Sequence, residues 1–135
     1  MKDRLPTYKQ LERDLSQKIR VFYNTELSFA PQKVSCKFFS KYLALVLDEA
    51  LTPVEKSLIA GGKTKLVKQV RREISLIVRP KLIRLIEETV GVKAIAILTN
   101  TTYTSNKSGI LIVLSESPKL RSSKSLPKPA FNNEQ

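Results

Sequence analysis

"KVSCKFFSKYLALVLDEA", Lys33–Ala50, is the stretch that decides the fold. From Lys33 to Phe39 polar and apolar residues alternate, the period of a strand with one buried face. Val34, Cys36 and Phe38 share that face. The polar pair Ser40-Lys41 then connects to Tyr42–Leu47, where nearly every residue is apolar. Two such runs across a short polar link predict a β-hairpin. Alternation sets Tyr42, Ala44 and Val46 on one side of the second strand and Leu43, Leu45 and Leu47 on the other. Both faces are therefore apolar.

Upstream, Leu11, Leu15, Ile19, Phe22 and Tyr23 recur at helical spacing through Tyr8–Leu27, with Thr7 placed to cap the first turn. Downstream, Thr52-Pro53 opens a short helix and Gly61-Gly62 breaks it. A longer helical pattern covers Lys63–Val90, with Leu66, Val67, Val70, Ile74, Ile77, Leu82, Ile83, Ile86 and Val90 as its apolar set. Pro80 predicts a kink or break near Val78–Pro80, and Gly91 a stop. "VKAIAILTNTTYT" and "GILIVLSE" then form a second hairpin across Ser105–Ser108. The order is helix–strand–strand twice, with a helical insertion between. "LALVLDEA" lines up with "ILIVLSES", and "KIRVF" with "LIRLI".

The expected architecture is α+β: a two-layer fold with one four-stranded antiparallel sheet and helices mainly on one face. A single domain spans residues 1–117, and a disordered basic Ser/Pro/Lys tail spans 118–135. One helical layer covers one side of the sheet only. The other side predicts a homodimer, with Leu43, Leu45, Leu47, Ile110 and Ile112 as candidate interface residues. The competing arrangement folds the Thr52–Ala60 helix over the second face and completes a three-layer monomer.

Composition narrows the function. The chain has 135 residues, 41% of them hydrophobic, enough for a real core. It contains no histidine, which removes the usual general base and the commonest metal ligand. Its single cysteine, Cys36, excludes an internal disulfide and a cysteine-built zinc site, and its strand position reads as buried. No cofactor, metal site or catalytic residue is expected, and the chain does not read as an enzyme. No apolar run has the length of a membrane span, and the N-terminal "MKDRLPTYKQ" lacks the apolar core of a secretory signal. The expected location is the cytoplasm, peripheral at the membrane.

The net charge of +12 is concentrated in residues 54–90, which carry +5, and 91–135, which carry +4. Such a field favours nucleic acid, anionic lipid or an acidic protein. Lys65, Lys68, Arg72 and Arg79 fall at helical spacing on one face, a candidate polyanion or partner surface that equally fits an ordinary solvated face. Gly61-Gly62-Lys63-Thr64 imitates the end of a phosphate loop, but the first glycine is replaced by Ser57 and a helix precedes it, so nucleotide binding there is rejected. Asp48 and Glu49 point to opposite faces of their strand. Glu49 and Glu116, at matching ends of the two apolar strands, are expected near one another. The polar run Thr99–Ser108 suits either a small-ligand site or a hairpin tip.

"LERDLSQKIRVFYNTEL", "KVSCKFFSKYLALVLDEALTPVEKSLIAGG", "VKQVRREISLIVRPKLIRLIEETVGVKA" and "TSNKSGILIVLSESP" together resemble the MpsC-like family over Leu11–Pro118. The most telling pieces are L-D-E-A-L-T-P-x-E, the V-R before a kinked helix, and G-I-L-I-V-L-x-E-x-P. The resemblance implies association with a sodium-translocating, membrane-potential-generating system and with inorganic-carbon uptake. It carries no catalytic or metal site. A non-catalytic accessory or regulatory subunit with a membrane-protein partner is what it implies. The charge of +12 departs from the modest charge expected of the family. The alternative is a basic nucleic-acid-binding module using the Lys65–Arg79 face.

Overall fold

Thr7 begins the first helix, α1 (Tyr8–Leu27), through a capping box: its hydroxyl accepts from Gln10 N–H and the Gln10 side chain accepts from Thr7 N–H. Leu11, Leu15, Ile19 and Tyr23, four residues apart, form its buried stripe. Tyr23 thus takes the place that spacing equally offered to Phe22, which is only half-buried. The computed structural model describes residues 5–120. After α1 come β1 (Lys33–Phe39), β2 (Tyr42–Asp48), α2 (Pro53–Ala60), α3 (Thr64–Val90), β3 (Ala94–Thr102) and β4 (Lys107–Leu114).

The strands form one antiparallel sheet in the order β1-β2-β4-β3, so the chain is α+β with its two apolar strands in the centre. Ser40 makes the first hairpin turn at φ 57. Register defines three rows on the helix side: Phe38–Leu43–Ile112–Ile97, Cys36–Leu45–Ile110–Thr99 and Val34–Leu47–Ser108–Thr101. Across the last two rows the side chains change from apolar at β1 and β2 to hydroxyl at β3. That gradient creates the site described below.

The candidate interface residues need correction. Leu43, Leu45, Leu47, Ile110 and Ile112 all lie in the core beneath the helices, and Leu43 and Ile112 are fully buried. Alternation correctly divided the strands, but it cannot say which side the helices choose. The uncovered face carries Tyr42, Ala44 and Val46 with Leu98, Leu111 and Val113, of which Val46 is 41% and Leu98 61% exposed. Helix α2 packs on α3 rather than on this face, so the three-layer arrangement does not form.

Helix α3 runs as one helix through Pro80, so the break does not occur. It ends at Gly91, whose φ of 80 lies in the left-handed region that glycine tolerates best. The Gly61-Gly62 turn is a helix–helix connection. The N–H groups of Gly61, Gly62 and Lys63 already bond Ser57 O, Ile59 O and Leu58 O, so these three are not free to cradle a phosphate. Glu49 and Glu116 do not meet. Antiparallel pairing puts Tyr42 beside Val113 and Asp48 beside Lys107, so the two C-terminal ends lie at opposite ends of the sheet. Pro118 is buried and Leu120 packs against the core, so the segment expected as a tail begins with docked residues. The rest of that tail, 121–135, lies outside the described residues.

Candidate functional site

Helix α3 and strand β3 diverge from a shared anchor. Near their junction, Glu87 Oε2 accepts from Ala94 N–H at 2.8 Å and holds the end of the helix against the start of the strand. Farther along, Arg79 reaches β3 with an NH2–Thr99 Oγ1 bond of 3.0 Å. Beyond that bond no large side chain from β3 fills the gap, because the helix-facing positions there are Thr99 and Thr101. A cleft results. Its inner chamber, about 30 Å³, is lined by Arg79, Ser75, Thr99, Thr101 and Ser108 over a floor that includes Leu47 and Ile110. It adjoins an outer groove of about 640 Å³ bordered by Lys68, Arg72, Asn100, Thr102 and Tyr103.

Helical spacing puts cations here. Positions 68, 72 and 79 lie on one flank of α3, as spacings of four and seven require. Three of the four cations chosen from sequence therefore converge on the cleft, while Lys65 is exposed outside its lining. None of the four ion pairs among the described residues uses Lys68, Arg72 or Arg79. Nε of Arg79 is buried and donates to no group among the described residues. Such a donor is costly to leave unpaired.

Arg71 is the residue that sequence reasoning passed over. It lies in phase with Val67, Val78 and Leu82, on the buried stripe of α3. Its Nε and NH2 bond the two carboxylate oxygens of Glu55 at 2.7 and 2.6 Å, and NH2 also donates to Ala50 O at 3.0 Å. Glu55 is fully buried, and its Oε1 further accepts from the N–H and hydroxyl of Thr52, closing the capping box of α2. Thr52-Pro53-Val54-Glu55 was legible as a cap. The arginine on an apolar stripe was the unused signal for its partner. This bidentate pair fixes α2 to α3, and Arg71 lines both the inner chamber and the outer groove.

The β3–β4 turn is also tied down. Asn106, at φ 54, accepts from Glu49 N–H through its carbonyl at 2.8 Å and from Leu51 N–H through Oδ1 at 2.9 Å. The polar run at Thr99–Ser108 is thus clamped to the start of α2. Thr101 and Ser108 share a hydrogen bond of 2.7 Å. Tyr23 lines the inner chamber, and burial pushes its phenol up to about 12, against a smaller lowering by Arg71. On the far side of the core, burial raises the Cys36 thiol to about 11, so it stays protonated and unreactive near neutrality.

Elsewhere chemistry is sparse. Asp48 pairs with Lys107, its register partner, and Glu87 is engaged with the β3 backbone. Among the described residues no three His, Cys, Asp or Glu side chains gather in a group able to hold a metal ion. No described helix is long and apolar enough to cross a membrane.

No curated protein and no solved structure matches the chain. A family model does match, over residues 7–116: that of MpsC, described as the Na+-translocating membrane potential-generating system. The matched span runs from the cap of α1 to just past β4 and includes every element that builds the core and the cleft. This chain belongs to the MpsC family.

Proposed function

We propose that the protein is a non-catalytic accessory or regulatory subunit of an ion-translocating, inorganic-carbon-uptake membrane system, working at the cytoplasmic side of the membrane as a homodimer. The observation that carries this reading is the family match across the whole packed unit. The lack of histidine anywhere in the chain supports a role without catalysis. A pull-down from native membranes tests it. Recovery of an ion-translocating membrane complex is the expected result; recovery of ribosomes or RNA alone overturns it.

The uncovered sheet face supports the dimer. Tyr42, Val46 and Leu98 are exposed there, beside half-buried Leu111 and Val113. Lys33, Lys37 and Lys107 are at its border, so the centre is apolar and the rim charged, as in protein interfaces. A second copy matches such a face through a two-fold axis. Val46→Asp is expected to yield folded monomers in light scattering. A wild-type mass near that of one chain at micromolar concentration rules the dimer out.

A second reading rests on the exposed Lys65, Lys68 and Arg72, which no described ion pair engages. Nucleic-acid binding through this flank predicts an affinity that falls steeply with salt. Charge reversal at Lys68 and Arg72 should lower that slope by about one unit per lost phosphate contact. Undetectable or salt-independent binding disposes of it.

A further inference from the structure

We propose that the cleft between α3 and β3 binds a phosphate-bearing small molecule, with Arg79 at its base and Lys68 and Arg72 at its mouth. The inference goes beyond the accessory role and does not depend on it.

Arg79 carries the argument. One of its nitrogens is held by Thr99, while buried Nε has no acceptor among the described residues. A buried N–H of this kind is normally satisfied, so an acceptor supplied from outside is the missing partner. The charge around the cleft favours an anionic acceptor. Among the described residues Lys68, Arg72 and Arg79 have no carboxylate partner, and the buried carboxylate nearby, Glu55, is saturated by Arg71 and Thr52. Arg79 in the inner chamber and Lys68 and Arg72 along the outer groove give the cleft a positive field that suits a phosphate dianion better than a singly charged carboxylate.

Size and lining separate a small molecule from a polymer. An inner chamber of about 30 Å³ has the volume of one water or one oxygen-bearing apex of an anion. The outer groove of about 640 Å³ falls within the range of small-molecule pockets, roughly 300–1,000 Å³. Its lining of Ser75, Thr99, Thr101, Asn100 and Thr102 supplies groups that donate to ester or hydroxyl oxygens. A nucleic-acid strand needs an open track of cations, yet Arg79 lies at the base of a recess, tied to Thr99.

The test is calorimetric titration of the full chain with inorganic phosphate and with glycerol phosphate at constant ionic strength. Saturable one-to-one binding of either is expected, and the tighter of the two identifies free phosphate or a phosphate ester as the source. Arg79→Gln should weaken it about ten- to a hundred-fold, the worth of a charged hydrogen bond. Lys9→Gln, exposed on α1 and outside the cleft lining, should leave it unchanged. If circular dichroism shows that Arg79→Gln is unfolded, the Lys68→Gln/Arg72→Gln pair provides the same reading from exposed positions. No saturable binding through the millimolar range, equal affinity in the cleft variants, or binding of oligonucleotide alone overturns the proposal. The membrane pull-down can fail or succeed whatever this titration gives, so the two ideas are separable.

Discussion

The two helix–strand–strand halves use the same parts and close differently. In the first, α1 stays on β1 from end to end: Arg20 Nε donates to Pro31 O at 3.1 Å at one end, and at the other Glu12 accepts from Phe38 N–H at 2.8 Å while Tyr8 packs against the Phe38 ring at 5.8 Å. Glu12 thereby satisfies a backbone donor on an edge strand, where an unpaired N–H is a liability. In the second half, Glu87 performs the same service for β3, but at the first residue of the strand. Past Arg79 the helix continues alone toward α2. The difference comes from side-chain volume. β1 offers Val34, Cys36 and Phe38 to its helix, whereas β3 offers Ile97 and then two threonines. A half that lacks apolar bulk cannot draw its helix down, and the space left over is polar.

The sharpest way to break this contrast is to remove the buried ion pair that ties the N-terminal part of α3 to α2. Arg71→Met leaves Glu55 charged and buried, and should cost about 3–5 kcal/mol in a denaturant titration. A Glu55→Met/Arg71→Met double variant should recover most of the loss, because no orphaned charge remains. Failure to recover means that the pair positions α2 by more than charge neutralisation.

Next in size is a matched pair of truncations on the two helices. Leu15→Ala, from the fully buried centre of α1, should cost about 2–5 kcal/mol. Ile77→Ala, from the half of α3 that stands clear of the sheet and 59% exposed, should change stability by less than about 0.5 kcal/mol. Equal losses would show that another surface covers Ile77 in solution.

Alkaline pH probes the closed half through Cys36. Folding raises its thiol from 9.0 to about 11, so the folded chain keeps a proton that the unfolded chain releases. This group leaves stability flat below pH 9 and lowers it between pH 9 and 11, by about 2–3 kcal/mol in all. Tyr23 acts with the same sign from its ordinary 10.0 to about 12. Cys36→Ala should flatten the pH 9–11 part of the curve measured by thermal unfolding. An unchanged curve would mean that the thiol meets water.

A modest effect is expected in the cleft. Thr99→Val removes the bond to Arg79 at an exposed strand position, and stability should move by no more than about 1 kcal/mol, since strand propensity partly offsets the lost bond. A loss of several kcal/mol would recast the cleft as part of the core and not as a site.

Much of the fold was legible because it depends on local periodicity. The hairpins, the Thr52-Pro53 helix start, the Gly61-Gly62 break and the Gly91 stop all follow from short-range rules. The likeness of Leu43–Ala50 to Ile110–Ser117 even kept its phase, since Leu43, Leu45 and Leu47 match Ile110, Ile112 and Leu114 and all six are buried. The helical likeness did not: "KIRVF" against "LIRLI" aligns buried Ile19 with half-buried Ile83. Strand faces repeat every two residues and tolerate a loose alignment, whereas a helix rotates by 100° at each step, so a shift of one residue changes what it buries. Of the cleft, the cationic flank was legible from spacing. Its hydroxyl wall was visible only as a polar run that fitted a hairpin tip as well.

By itself, then, the order of residues determined the elements, their amphipathic division, the antiparallel hairpins and the family. Tertiary structure alone decided which face of the sheet is covered, that Arg71 meets Glu55, and that Lys68, Arg72 and Arg79 stand opposite Thr99 and Thr101. The reason is range. Periodicity reports what a residue's neighbours along the chain require. A partner such as Glu55, 16 positions from Arg71, or Thr99, 20 positions from Arg79, is chosen only when helices and sheet dock and the apolar volume available decides where they part.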